Sequence, residues 1–108
     1  MKYNYKQDGF YYPLVLFSLE QAKTYRNYLE DAEKKIGPLH YFAKTYTMMR
    51  WVYEVATNKI LLDFVEDLIG QNILLYNATF IIKEPMTKTH VSWHQDLTYW
   101  GFDDNEKQ

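Results

Sequence analysis

Apolar residues recur at three- and four-residue steps over Leu19, Ala22, Tyr25, Leu29, Ala32 and Ile36. That spacing lines up one face of an α-helix. Ser18 stands just before the stripe and Gln21 three residues later, a capping-box pair in which each side chain accepts from the other's backbone N–H. Gly37-Pro38 follows the stripe, and a glycine then a proline close a helix. The pattern predicts a helix from Leu19 to about Lys35. The aromatic segment 39–46 reads as a loop. A second helical stretch is predicted from Thr47, carrying Met48, Met49, Trp51, Val52 and Val55. A third is predicted over Lys59 to Ile69, with Asn58 as its cap and Gly70 as its stop. Within it Ile60, Leu61, Phe64, Val65, Leu68 and Ile69 keep helical spacing.

After Gly70 the period changes. Residues 72–83 are rich in β-branched and aromatic side chains and predict one long strand, ended by Glu84-Pro85. Residues 91–96 predict a second strand. Asp8-Gly9 is a turn or helix-ending signal, and Phe10 to Phe17 after it suits a short strand that Pro13 confines to an edge. Leu97 to Phe102 is aromatic and ends in a turn, and 103–108 is a polar, acidic tail. Helices followed by strands predict an α+β fold.

The chain has 108 residues and a mass of 13.1 kDa, room for one small domain over 1–108. The formal net charge of −2 gives no support to a nucleic-acid surface or a polybasic membrane anchor. The absence of cysteine excludes disulfides, thiolate metal sites and cysteine nucleophiles. No stretch is long and apolar enough to span a bilayer or to serve as a signal peptide, so a cytoplasmic protein is expected. No glycine-rich phosphate loop and no Gly-x-Ser-x-Gly elbow occurs. The carboxylates Glu30, Asp31 and Glu33, and Asp63, Glu66 and Asp67, read as solvated helix faces. Aromatic residues reach 19%, with 11 Tyr, 6 Phe and 3 Trp, a load that packs a core or lines a pocket. One reading of the tyrosines Tyr3, Tyr5, Tyr11, Tyr12, Tyr41 and Tyr46 is a non-catalytic binding surface for sugars or peptides.

The segment that could carry chemistry is Ser92-Trp93-His94-Gln95-Asp96. In a strand, residues i and i+2 share a face, so His94 and Asp96 would project together and could share one metal ion, as in a 2-His-1-carboxylate triad. With three His among 108 residues, chance supplies roughly 0.2 His-x-Asp matches. The spacing alone favours a satisfied histidine and a turn-capping aspartate.

The surroundings alter that balance. In order and spacing, Asp8-Gly9-Phe10, Leu68-Ile69-Gly70, Ile82-Lys83-Glu84-Pro85 and Trp93-His94-Gln95-Asp96-Leu97-Thr98-Tyr99-Trp100 resemble the phytanoyl-CoA dioxygenase family of iron(II)- and 2-oxoglutarate-dependent oxygenases. The last string is the specific one. The resemblance implies a double-stranded β-helix core of jelly-roll or cupin type, of which this chain would hold the N-terminal helices and first strands. It implies His94 as the first iron ligand and Asp96 as the carboxylate ligand, with no catalytic residue beyond the metal ligands. It implies contacts to 2-oxoglutarate from Asn77 and Thr79, and Trp100 beside that cosubstrate. A carboxylate at position 96, rather than the small residue of related halogenases, implies hydroxylation of a small-molecule substrate.

The family pattern also expects a second histidine and an arginine downstream of Asp96. An arginine suits the distal carboxylate of 2-oxoglutarate through its bidentate fork, but the only arginines are Arg26 and Arg50. His90 would lie about 13 Å from His94 along a strand, too far to share one ion, and His40 reads as a loop histidine. The expectation is therefore an incomplete oxygenase fragment, inactive alone, with exposed strand edges; an inert fragment and a non-catalytic aromatic binding module are the alternatives.

Overall fold

Among the described residues the backbone forms five helical segments joined by extended chain: α1 (Tyr5–Asp8), α2 (Leu19–Ile36), α3 (Arg50–Ala56), α4 (Lys59–Ile69) and α5 (Leu97–Trp100). A 3-10 turn at Thr45–Thr47 leads into α3. They are seen in a computed structural model that describes residues 5–100.

Local chemistry fixes the helix ends. At the start of α2 the Ser18 N–H donates to Gln21 Oε1 at 2.9 Å, and the Gln21 N–H donates to Ser18 Oγ at 3.2 Å. Glu20 lies in the first turn and Lys34 and Lys35 in the last, the signs that the helix dipole favours. Gly37 ends the helix at φ 93°, its N–H bonded to the Glu33 carbonyl at 2.9 Å. In α4 the Asn58 side chain accepts from the Ile60 N–H at 2.9 Å. Gly70 repeats the ending, at φ 95° and with a 2.8 Å bond to the Glu66 carbonyl. The stretch expected from Thr47 begins as a helix only at Arg50. Before it the chain turns more tightly, and the Thr45 carbonyl accepts from the N–H groups of both Met48 and Met49.

The core is small. Leu39, Met49 and Val52 are its buried hydrophobic residues, and the Thr45 side chain is fully enclosed beside them. Leu29 and Ala32 of α2 pack against this centre, as do Trp51 of α3 and Ala78, Phe80 and Ile82 of the extended segment. Trp51 lies between Tyr25 and Phe80, with ring centroids 5.8 and 5.7 Å away. Only the middle of the predicted α2 stripe is covered: Leu19 is 91% exposed and Ile36 57%. The accessible surface totals 9640 Å², against about 6,400 Å² for a compact monomer of this mass.

The α+β expectation, with the first strands of a double-stranded β-helix, is overturned. Among the described residues there is no strand, only one isolated parallel bridge between His40 and Phe80. Segments 10–17, 72–83 and 91–96 run without a ladder. A strand is defined by its partner, which must present N–H and C=O groups along its whole length. Segment 72–83 is hydrogen-bonded to the stretch from His40 to Thr45 at scattered points. That loop holds Tyr41 at φ 59° and Lys44 at φ 55°, left-handed conformations that prevent a straight run of pairing. The side-chain alternation survives without the sheet: Ile73 and Leu75 are half-buried while Leu74 and Tyr76 are exposed.

Candidate functional site

The loop from Leu39 to Thr45 and the segment from Asn77 to Ile82 are tied by mixed main-chain and side-chain bonds. The Tyr41 N–H donates to the Phe80 carbonyl at 3.0 Å, and the Ile82 N–H to Nδ1 of His40 at 2.8 Å. Thr45 sends both its N–H and its hydroxyl to the Ala78 carbonyl, at 3.2 and 2.9 Å. The Lys44 N–H donates to Oδ1 of Asn77 at 2.8 Å. Asn77 is thus half-buried with its carbonyl oxygen engaged, while Thr79 is exposed.

His94 and Asp96 lie further along, where the chain leaves its extended course and turns into α5. The Asp96 carbonyl accepts from the N–H groups of Tyr99 and Trp100, at 2.9 and 3.1 Å. Nε2 of His94 is 3.0 Å from Oδ1 of Asp96, and Nδ1 of His94 is 2.7 Å from the Ser92 carbonyl. The two side chains therefore stand together, as the i, i+2 spacing expects, though the segment that carries them is not part of a sheet. Both are substantially exposed, at 38% and 50%.

The imidazole is committed on one side. A carbonyl oxygen only accepts, so Nδ1 carries a proton. Nε2 then faces a carboxylate, and two lone pairs at 3.0 Å repel unless a proton or another cation stands between them. Without a metal a proton takes that place, so the geometry favours the protonated form of His94. The Ser92 carbonyl raises its pKa above the ordinary histidine value; partial desolvation opposes this and Asp96 adds to it.

The pair sits in an open depression of about 460 Å³. Tyr41, Trp93, Tyr99 and Trp100 supply its aromatic walls, and His90 also borders it. The His94 and Tyr99 rings meet edge to face, with centroids 6.0 Å apart. Trp100 rests against Tyr76 at 5.1 Å. Of the residues implied as cosubstrate contacts, the structure brings Trp100 to the depression and leaves Asn77 and Thr79 outside its lining. Among the described residues no third His, Cys, Asp or Glu joins the pair in a metal-binding group. His40 is the hydrogen-bonded loop histidine that its sequence context suggested.

Of the tyrosines read as one surface, two pack against other parts of the chain. Tyr11 packs on Phe64 of α4 at 4.7 Å, Tyr46 packs against the core, and Tyr3 lies outside the described residues. Tyr41 is the lining residue that sequence reasoning missed as part of this site. Its neighbours give it no motif, and the bonds that tie its loop to the 77–82 segment are long-range. No described helix is long and apolar enough to cross a membrane.

A family model described as phytanoyl-CoA dioxygenase (PhyH) matches residues 5–108. No curated protein and no solved structure matches the chain. With the match covering nearly all of its length, the chain belongs to the phytanoyl-CoA dioxygenase family.

Proposed function

We propose, from this family membership, that the chain contributes to an iron(II)- and 2-oxoglutarate-dependent hydroxylase site, with His94 and Asp96 as two of the metal's ligands. The observation that carries the reading is the 3.0 Å separation of Nε2 and Oδ1, with Nδ1 already held by a carbonyl. Bonds of about 2.1 Å at a right angle put neighbouring ligand atoms about 3.0 Å apart, so this donor pair fits adjacent positions around one octahedral cation. An imidazole fixed through its far nitrogen is also the usual form of a metal-bound histidine. When bound, iron(II) with 2-oxoglutarate supplies the activation of O₂ that places a hydroxyl on an unactivated C–H bond.

The chain's own residues do the rest. The Ser92 carbonyl fixes the tautomer, so that Nε2 presents its lone pair once the proton leaves. Asp96 brings one negative charge and, through its main-chain carbonyl, anchors α5 and so Tyr99 and Trp100. Trp100, held against Tyr76, is the proposed neighbour of 2-oxoglutarate. Asn77 and Thr79 are its further proposed contacts. Because Lys44 occupies Oδ1 of Asn77, Nδ2 is the part of that amide suited to donate to a carboxylate. The proposed substrate is a small molecule.

Anaerobic iron(II) titration followed by calorimetry tests the assignment. Two protein ligands give weak binding, which His94→Ala and Asp96→Ala should each reduce at least tenfold. Equal affinity in wild type and both variants would remove His94 and Asp96 as ligands.

A further inference from the structure

We infer that Tyr41 is a specificity-determining wall of this site, and that it selects a substrate presenting a planar ring. The inference rests on the proposed iron site being the place of oxidation. Tyr41 adopts φ 59°, a left-handed backbone that a bulky residue rarely takes and that tends to persist where a ligand is held. Its N–H is fixed to the Phe80 carbonyl at 3.0 Å, and one side of its ring is braced by the His40 ring at a centroid distance of 4.1 Å. The side chain nevertheless remains 60% exposed and borders the depression that holds His94 and Asp96. The chain thus holds an aromatic ring in a costly backbone conformation without burying it.

The class of ligand follows from the other walls. Trp93 and Tyr99 are exposed and, with Trp100, offer further ring faces. Most of the described residues that line the depression carry rings, and no lysine or arginine is among them. A flat ring gains by offset or edge-to-face packing on tyrosine and tryptophan.

The test uses indole as an uncharged planar probe, with tetramethylammonium and acetate as charged controls, followed by ligand-observed NMR on the full chain. Indole should bind in preference to both controls. Tyr41→Gly, which suits a left-handed φ and removes only the ring, should weaken indole binding roughly threefold to tenfold, and Tyr41→Phe should retain it. A circular-dichroism melt of each variant shows that the fold is kept. Indole binding unchanged in folded Tyr41→Gly, or acetate or tetramethylammonium binding better than indole, overturns the inference. Iron(II) binding in Tyr41→Gly is read separately: if it survives while indole is indifferent to Tyr41, the wall is refuted and the metal site stands.

Discussion

Replacing Leu39 by alanine tests how this chain holds together. Leu39 is 1% exposed and, among the described residues, shares the buried apolar centre with Met49 and Val52, while its N–H donates to the Glu33 carboxylate at 3.0 Å. The substitution deletes buried methyl groups and leaves a gap that rigid neighbours fill only in part, at a cost of about 3 kcal/mol. A domain of this size has about 5–15 kcal/mol in all, and a surface half as large again as a compact monomer's argues for the low end. The folded-to-unfolded ratio should therefore fall on the order of a hundredfold. Leu19→Ala is the matched control. It removes the same atoms from a position that periodicity also assigns to an apolar face, but that is 91% exposed. Its effect should stay within about 0.5 kcal/mol. Urea unfolding followed by circular dichroism at 222 nm reads both. A Leu39→Ala midpoint within error of that of Leu19→Ala would refute the claim that this three-residue centre organises the fold.

Three further outcomes follow from the structure. Iron(II) affinity should rise with pH, because a metal at Nε2 of His94 displaces the proton that the Ser92 carbonyl and Asp96 retain; titrations between pH 5.5 and 8.5 that give a flat profile would refute it. In the metal-free chain the sign reverses. A histidine whose folded pKa is raised stabilises fully below its unfolded value, about 6.5, and loses that contribution as pH rises through the folded pKa. Thr45→Val should cost about 1 kcal/mol in a thermal melt, since the hydroxyl bond to the Ala78 carbonyl is lost while the Thr45 N–H still satisfies that carbonyl; a neutral result would show that the hydroxyl contributes nothing.

What the sequence disclosed was local. The Ser18–Gln21 cap, the glycines at 37 and 70 and the Asn58 cap each act within one turn, so α2 and α4 could be read almost to the residue. The Leu19 to Ile36 stripe gave the right face, but periodicity does not say how far a partner extends along it, and only Tyr25, Leu29 and Ala32 found cover. The strands failed for the opposite reason. Residues 72–83 have the composition and alternation of a strand, but a ladder depends on what lies alongside, and a loop bent at Tyr41 and Lys44 cannot supply one. α5 is too short to show a period and is set by the Asp96 carbonyl. The nearness of His94 and Asp96 was legible because two-residue spacing in extended chain survives the loss of the sheet. The approach of Tyr41 was not, since its loop is placed by long-range bonds to the 77–82 segment.

The anchor on His94 is main chain rather than side chain. A carbonyl is present whatever residue occupies position 92, so exchanges there leave the imidazole's orientation untouched. Drift at that position can retune the size and polarity of the site's border while its proton bookkeeping stays the same. Residue 92 is thus a natural place to diversify in a variant library, and position 96, whose carboxylate faces Nε2 directly, is not.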